Sequence, residues 1–197
     1  MAKEKEVFTK KLKKFAINQG ADLIGIAPVE RFEHAPEEHK PEYFLSDAKS
    51  VVVIAAAFPK GVCDVWGTYE EPHKTAGPYM WYGHVVGDIR LILLSNKISL
   101  YLEKNGYKTV TFPDTFSAAC YRFLMKPDRS LGDYLYFPDF SSKHAAVAAG
   151  LGEFGLNNLL LTPKFGPRQR VNTIITDAPL KPDPMYDGPK LCEPDVC

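Results

Sequence analysis

Two short apolar runs limit what this 197-residue chain can fold into more than any other feature. Residues 21–27 (ADLIGIA) and 50–58 (SVVVIAAAF) are almost continuously hydrophobic, and glycine, proline or aspartate lies near their ends. Such runs are typical of strands that other elements cover on both faces. The sequence therefore predicts a layered fold in which helices enclose a central sheet.

Apolar side chains at helical spacing predict the enclosing helices. Phe8, Leu12 and Phe15 recur among lysines, and Gly20 follows where a helix would end, so an amphipathic helix is predicted over residues 4–19. Helices interleaved with strands predict an α/β fold of the α+β layered-sandwich kind. The other predicted elements are helices over residues 84–104 and 143–149 and strands over residues 107–112, 159–161 and 170–176.

Two stretches lack a regular pattern. Residues 61–83 hold five Trp and Tyr residues among Gly and Pro without a sustained period, which predicts a long aromatic loop. Residues 113–140 are left largely unassigned because their aromatic, Pro and Gly content suits irregular structure. Long loops are uncommon without a function, so both stretches are candidate walls of a pocket.

The composition narrows the classes of function. Lys plus Arg equal Asp plus Glu at 24 each, so no broad basic field is present and nucleic-acid binding is not indicated. The N-terminus lacks the apolar core of a secretory signal, and the apolar runs are too short to span a bilayer. We therefore expect a single cytoplasmic folded unit without a membrane anchor.

One glycine-rich segment matches the residue pattern of a known cofactor-binding motif, but the elements predicted around it differ from those that the motif requires. Gly150-Leu-Gly-Glu-Phe-Gly155 fits the GxGxxG of dinucleotide-binding folds, and Asp177 lies about 20 residues further on. Such folds need a strand before the first glycine and a helix inside the motif, whereas here an alanine-rich helix comes first. Spacing alone leaves two alternatives open, a helix C-cap with a tight turn and a backbone lying against a flat ligand.

The longer segment around these glycines resembles a known family. Residues 145–183 (AAVAAGLGEFGLNNLLLTPKFGPRQRVNTIITDAPLKPD) are similar to the segment that joins the corrinoid domain to the iron-sulfur domain in reductive dehalogenases and epoxyqueuosine reductases. The shared features are an AGLG-x-x-G turn, an asparagine, two strands around a glycine loop, and Pro-Leu-x-x-Asp. The AGLGEFG form is closer to the dehalogenases. The runs GADLIGIAPVERF and KSVVVIAAAFP also resemble this family.

The resemblance implies a fold, a cofactor and an activity. It implies a nitroreductase-like fold with a mixed sheet flanked by helices, which binds cobalamin base-off opposite a substrate pocket. The cofactor would carry the difficult chemistry while the protein positions it, excludes water and supplies a proton. The cofactor-binding residues that follow are Gly150, Leu151, Gly152, Gly155, Asn157, Asn158, Gly166, Arg168 and Arg170.

The proton donor has several candidates. Dehalogenase-type sites pair a tyrosine with a basic residue, because a nearby cation favours the phenolate. Tyr134, Tyr136 and Lys143 fit that description, and Tyr82 in the aromatic loop is a further candidate. Epoxyqueuosine reductases instead place an aspartate in this region, where Asp139 is the nearest acid. His84 or His144 could serve as a lower ligand of cobalt.

The C-terminal cysteines break the family pattern. The related iron-sulfur domain carries runs of C-x2-C-x2-C-x3-C-P type, whereas Cys192 and Cys197 supply only C-x4-C. The ligand set of a 4Fe-4S cluster is therefore incomplete, and we favour a chain truncated within that domain over one that has lost it. The predicted organisation is a corrinoid-binding domain over residues 1–184 and the start of a cysteine-containing tail over residues 185–197.

Three functions are compatible with these patterns. The first is a cytoplasmic corrinoid-dependent reductase that acts on a small molecule and takes electrons through iron-sulfur clusters from a donor such as ferredoxin or flavodoxin. The second is a non-catalytic cobalamin carrier with the same pocket. The third is a flavin-dependent enzyme of nitroreductase type, although no clear basic cluster for a flavin phosphate is visible. A tRNA partner is expected only if the chain resembles the epoxyqueuosine reductases in function.

Overall fold

A computed structural model describes residues 2–64, 77–112 and 140–194. Within these residues helices and strands alternate along the chain. The described helices are α1 (Ala2–Asn18), α2 (Pro41–Phe44), α3 (Lys60–Asp64), α4 (Val86–Lys104) and α5 (Ser142–Ala148). The described strands are β1 (Leu23–Pro28), β2 (Ser50–Ala57), β3 (Thr109–Thr111), β4 (Glu153–Phe154), β5 (Leu160–Leu161) and β6 (Gln169–Thr176).

Four of these strands form the central sheet in the order β1-β2-β6-β3, and β4 and β5 form a separate small ribbon. Gly25 of β1 lies opposite Val53 of β2, which in turn lies opposite Thr173 of β6. Every described strand pair is antiparallel, so the predicted mixed sheet is wrong in this detail. A continuous apolar run indicates that a strand is covered on both faces, but it does not indicate whether the neighbouring strand is parallel or antiparallel.

Helices cover both faces of the sheet, as the apolar runs predicted. Successive side chains of a strand point to opposite faces, and β2 divides its valines accordingly. Val52 joins the cluster beneath α1 and α4, whereas Val51 and Val53 join the cluster beneath α5. All three are fully buried. The α/β layered fold predicted from the sequence is confirmed.

Small residues bring α5 close to the sheet. Ala145 and Ala146 are fully buried there. A Cβ added to Gly25 of β1 would lie 2.6 Å from the carbonyl oxygen of Ala149, just after the end of α5. Glycine at this strand position therefore lets the end of the helix approach the sheet backbone.

Residues 61–83 were predicted to form a long aromatic loop, but both ends of this stretch are helical. Residues 61–64 belong to α3, and Met80–Val85 form a turn of π-helix that leads directly into α4. The side chains of Trp81 and Tyr82 are 61% and 53% exposed, so no buried apolar stripe signalled a helix there. Residues 65–76 of the predicted loop lie outside the described residues.

The chain after β6 has no regular structure, yet it is tied to the sheet. The carboxylate of Asp183 accepts hydrogen bonds from Nζ of Lys13 at 2.5 and 2.6 Å and from the backbone N–H of Ile26 at 2.9 Å. The backbone N–H of Asp183 donates to the carbonyl of Ile26 at 2.9 Å. These hydrogen bonds hold the segment after β6 alongside the outer edge of β1. Across the described residues, no helix has both the length and the apolar character required to cross a membrane.

Candidate cofactor cleft

A large cleft of about 830 Å³ lies between α5 and the segment that follows β1. That segment consists of two short 3-10 turns, Val29–Phe32 and Glu37–His39, so its backbone stays close to the end of the strand. Helix α5 begins at Ser142, and the side chain of the preceding Ser141 accepts a bond from the backbone N–H of His144 and so caps the helix. The segment after β1 and helix α5 thus form the two walls of the cleft.

The described lining is mainly apolar, with a few polar groups. One wall comes from the segment after β1, through Arg31, Phe32, His34, Ala35, Pro36 and His39. The opposite wall comes from α5 and its cap, through Ser141, Lys143, His144, Val147 and Ala148. The remaining described contacts are Phe140, Phe154, Asn158 and Met185.

Two cations face this cleft. Nζ of Lys143 donates to the carbonyl oxygen of Asn158 at 2.9 Å, and Nη1 of Arg31 donates to the carbonyl oxygen of Ala148 at 2.5 Å. No carboxylate within the described parts of the chain pairs with either cation. Lys143 was predicted as a site residue, and the structure places it on the cleft wall.

His144 is held in one orientation beside Lys143. Its Nδ1 lies 2.7 Å from the hydroxyl oxygen of Ser141, and its ring centroid lies 4.8 Å from that of Phe154. Partial burial lowers the pKa of His144 below its ordinary value, and the positive charge of Lys143 lowers it further. Both effects favour the neutral form of the imidazole.

The first two glycines of the GxGxxG segment pack against the chain itself. Gly150 ends α5 with a positive φ of 74°, and an added Cβ would lie 1.9 Å from the carbonyl oxygen of Pro184. An added Cβ on Gly152 would lie 1.9 Å from the carbonyl oxygen of Leu161. A helix precedes the motif and the short strand β4 lies inside it, where a dinucleotide-binding fold would begin a helix, so the dinucleotide-binding interpretation does not apply. The predicted contact of these glycines with a cofactor stays a prediction.

The other predicted residues of this segment shape its turns. Leu151 packs against the core beneath α5. Gly155 and Asn157 belong to the turn between β4 and β5, where Oδ1 of Asn157 accepts from the N–H of Leu159 at 3.2 Å. Gly166 pairs with Thr162 across a turn and has a φ of 57°. Of this group, Asn158 lines the cleft, and its φ of 61° is unusual for a residue with a side chain.

The two predicted arginines are used elsewhere in the fold. Nη1 of Arg168 donates to the carbonyl oxygen of Phe58 at 3.4 Å, just beyond the end of β2. Nε of Arg170 donates to the carbonyl oxygen of Gly83 at 3.0 Å and lies 3.6 Å from the carboxylate of Asp88. Both side chains therefore join β6 to neighbouring elements. Neither is among the described residues that line the large cleft.

The glycine-rich segment also holds the cysteine tail. Oε1 of Glu153 accepts hydrogen bonds from the backbone N–H groups of Leu191 and Cys192, at 2.5 and 3.2 Å. The sulfur of the buried Cys192 accepts from the N–H of Leu156 at 3.3 Å. This arrangement fixes the position of one predicted cluster ligand, whereas Cys197 lies outside the described residues.

Several predicted catalytic residues cannot be placed in the cleft. Tyr134, Tyr136 and Asp139 lie outside the described residues. Tyr82 lines a smaller cleft of about 340 Å³ beside α4, and it is not among the described residues of the large cleft. The structure thus brings Lys143 together with Asn158, while Tyr82 lies elsewhere.

The sequence offered little sign of the wall opposite α5. Arg31 lies in the run GADLIGIAPVERF, which resembles the family, but the resemblance assigned no role to it. His34 and His39 follow in a polar stretch whose signal is its position, because loops at strand ends carry binding groups more often than the strands themselves.

The cleft fits a large organic cofactor in size and lining. Its volume is at the upper end of the range for small-molecule sites, which are mostly apolar with a few placed polar groups. Arg31, Lys143, His144 and Asn158 are the polar groups that could hold such a ligand. In the described residues no three His, Cys, Asp or Glu side chains come together as a metal site, so the iron-sulfur ligands stay a prediction.

Comparison with known proteins gives one short sequence match. No known protein-family profile matches the chain. A segment of 38 residues is 60% identical to tetrachloroethene reductive dehalogenases of Desulfitobacterium hafniense and Dehalobacter restrictus. That segment covers 19% of this chain and 7% of the relatives, so the match is local.

Solved structures match nearly the whole described fold. An epoxyqueuosine reductase superposes with a TM-score of 0.59 at 21% identity over 91% of this chain, and the Bacillus subtilis protein with 0.57 at 20% over 92%. A reductive dehalogenase, studied for B12-dependent dehalogenation, superposes with 0.62 at 18% over 89%. The chain spans 48% of the epoxyqueuosine reductases and 22% of the dehalogenase. The predicted resemblance is confirmed: the chain has the fold shared by epoxyqueuosine reductases and reductive dehalogenases.

Proposed function

We propose that this chain is the corrinoid-binding part of a reductase of reductive dehalogenase type that acts on a small organic molecule. The observation that carries the proposal is the continuity between cleft and glycine-rich segment. Helix α5 forms one wall and ends at Ala148, and the chain then passes through Gly150 into β4, which returns Phe154 to the same cleft. The segment that resembles the dehalogenases thus builds the cleft directly.

The residues of the cleft suit the tasks that such a protein performs. A bound corrinoid would supply the reducing metal centre. The apolar part of the lining would displace water from a bound ligand, and Asn158 and His144 offer polar contacts. Nζ of Lys143 would hold a positive charge beside the reacting groups, where it lowers the pKa of a neighbouring phenol and aids proton delivery. Tyr134 and Tyr136 are the proposed phenols.

Dehalogenase chemistry is favoured over epoxyqueuosine reduction by the local sequence. The 60% identity over 38 residues is to dehalogenases. The balanced charge of the chain, with 24 basic and 24 acidic residues, offers no broad basic field for a tRNA backbone. We further propose that electrons arrive through 4Fe-4S clusters from a donor such as ferredoxin or flavodoxin, with Cys192 and Cys197 among the ligands.

Titration with hydroxocobalamin, followed by absorbance, tests the proposal. The matched variants are Val147→Trp, which adds bulk to the cleft wall, and Val7→Trp, which adds the same bulk to an exposed position on α1. We expect a base-off spectrum with the unmodified chain and with Val7→Trp, and at least tenfold weaker binding with Val147→Trp. The flavin FMN is the comparison ligand, because the two cations of the cleft would also suit its phosphate.

Two results would contradict the proposal. One is the absence of any spectral change at saturating cobalamin. The other is equal binding by both tryptophan variants, which would place the corrinoid outside the cleft. Tight binding of FMN in place of cobalamin would favour the flavin-dependent alternative.

A further inference from the structure

The charge of the cleft is one-sided. Its described lining includes two cationic side chains, Arg31 and Lys143, and no aspartate or glutamate. Arg31 is exposed and Lys143 is half-buried, so solvent screens part of their field, but no carboxylate of the described lining opposes it. The cleft therefore attracts negative charge.

Two described glutamates near the cleft face other cations. Glu33 lies 3.4 Å from Nε2 of His34, and Glu37 lies 2.7 Å from Nζ of Lys40. Both glutamates are exposed to solvent, and neither is among the described residues that line the cleft.

Both cations keep free donors in spite of their backbone contacts. A guanidinium carries five N–H groups and an ammonium carries three. The described contacts use one group of Arg31, on the carbonyl of Ala148, and one of Lys143, on the carbonyl of Asn158. These contacts fix the direction of each side chain without neutralising its charge. The cations are thus positioned in advance for a ligand.

We propose that the cleft binds a ligand with an apolar body and an anionic group, a carboxylate, sulfonate or phosphate, and that Arg31 and Lys143 attract this group. The inference concerns the site of the proposed function, but it does not depend on a corrinoid being the ligand. Lys143 lies near the start of α5 and the carbonyl of Ala148 near its end. The backbone positions of Lys143 and Ala148 are thus about 8 Å apart along the helix. The two cations are held at different points of the cleft wall, so we expect them to act through a shared field rather than as one clamp.

Two fluorescent probes that share an aromatic body test the inference. Anilinonaphthalene sulfonate is anionic, and N-phenyl-1-naphthylamine is its neutral counterpart. The variants are Arg31→Gln and Lys143→Met, with Lys97→Met as control because it removes an exposed lysine from α4, on the other face of the sheet. Circular dichroism in the near ultraviolet establishes that each variant keeps its packing.

We expect the sulfonate to bind at least tenfold more tightly than the neutral probe. Arg31→Gln and Lys143→Met should each weaken sulfonate binding by about three- to fivefold, the range for a partly exposed charge pair, and leave the neutral probe within twofold. Equal affinity for both probes would overturn the inference. So would a loss in Lys97→Met as large as in the two cleft variants.

The anionic group could belong to a cofactor or to a substrate, and a second pair of ligands separates these sources. Cobalamin carries a phosphate in its nucleotide loop, whereas cobinamide lacks it. Selective loss of cobalamin binding in the cleft variants would assign the cations to a cofactor phosphate. Unchanged binding of both corrinoids, with the probe effects retained, would assign them to a substrate anion. If neither corrinoid binds but the probes are still discriminated, the proposed function fails and the anion site stands.

Discussion

The two faces of the central sheet are covered by helices of very different length. On one face α1 and α4, of 17 and 19 residues, bury large side chains such as Leu12, Leu91 and Ile98. On the other face α5 has only 7 residues and places Ala145 and Ala146 against the strands. The first face is a sealed core, whereas the second leaves space beside a short helix.

This difference explains where a cleft can exist. Alanines bring the backbone of α5 close to the sheet but do not fill the layer beyond it, so the segment after β1 faces an open volume. Both faces bury an apolar cluster. The cleft face adds close backbone contacts at Gly25, Gly150 and Gly152. Substitutions on the two faces should therefore fail for different reasons.

The largest effect is expected where backbone contacts hold the cleft face. Gly152→Ala would place a methyl group 1.9 Å from the carbonyl oxygen of Leu161, which is backbone and cannot rotate away. We expect a loss in the free energy of unfolding of more than about 4 kcal/mol, measured by urea denaturation. Gly61→Ala is the control, since no atom lies within 4 Å of its added Cβ. A loss below about 1 kcal/mol in Gly152→Ala would show that the turn rearranges freely.

Truncation of matched aliphatic side chains compares the two faces directly. Ile98 is fully buried in α4, whereas Val147 is partly exposed on the cleft wall of α5. Ile98→Ala should lower the free energy of unfolding by about 3 kcal/mol, and Val147→Ala by less than about 1 kcal/mol. Thermal unfolding followed by circular dichroism measures both. Equal losses would mean that the cleft face is packed as tightly as the sealed face.

The smallest expected effect is a change in one titration. Burial and the charge of Lys143 hold the pKa of His144 below its ordinary value of 6.5. Lys143→Met should raise this pKa, measured by NMR of the imidazole, whereas Lys97→Met on the opposite face should not. An unchanged pKa in Lys143→Met would mean that the charge of Lys143 does not reach the imidazole.

The lowered pKa of His144 also makes the free energy of unfolding depend on pH in a defined direction. Between the lowered folded pKa of His144 and the unfolded value near 6.5, the unfolded chain binds more protons. This residue therefore makes the free energy of unfolding fall as the pH drops through that window. His144→Gln should reduce the slope, measured by urea denaturation across the window. A steeper slope in the variant would contradict the assignment.

Local patterns predicted the elements well where each pattern has one physical cause. Gly20 and Gly106 follow the ends of two helices and adopt positive φ, as stop signals require. Ser141 caps α5 by its hydroxyl, and β2 is buried along nearly its whole length. The π-helical turn before α4 was missed because Trp81 and Tyr82 are exposed and therefore give no helical stripe.

The site was predicted only in part, because its walls come from distant parts of the chain. Asn158 lies in the segment that resembles the dehalogenases, and Lys143 lies two residues before that segment. Arg31 lies in the run GADLIGIAPVERF, but it was not identified as a site residue, since its contact with Ala148 joins residues 117 positions apart and no local pattern indicates such a pairing. Arg168 and Arg170 contact the carbonyl groups of Phe58 and Gly83, and their predicted role at the cofactor stays a prediction.

By itself the sequence determined that helices enclose a buried sheet and that a glycine-rich turn follows α5, because hydrophobic periodicity and glycine conformation are properties of the local chain. It also determined the family resemblance. The tertiary structure alone decided that the described strands are antiparallel, that Gly150 and Gly152 face backbone, and that Arg31 and Lys143 share a cleft. These outcomes depend on long-range packing, in which each segment settles against surfaces that other segments provide.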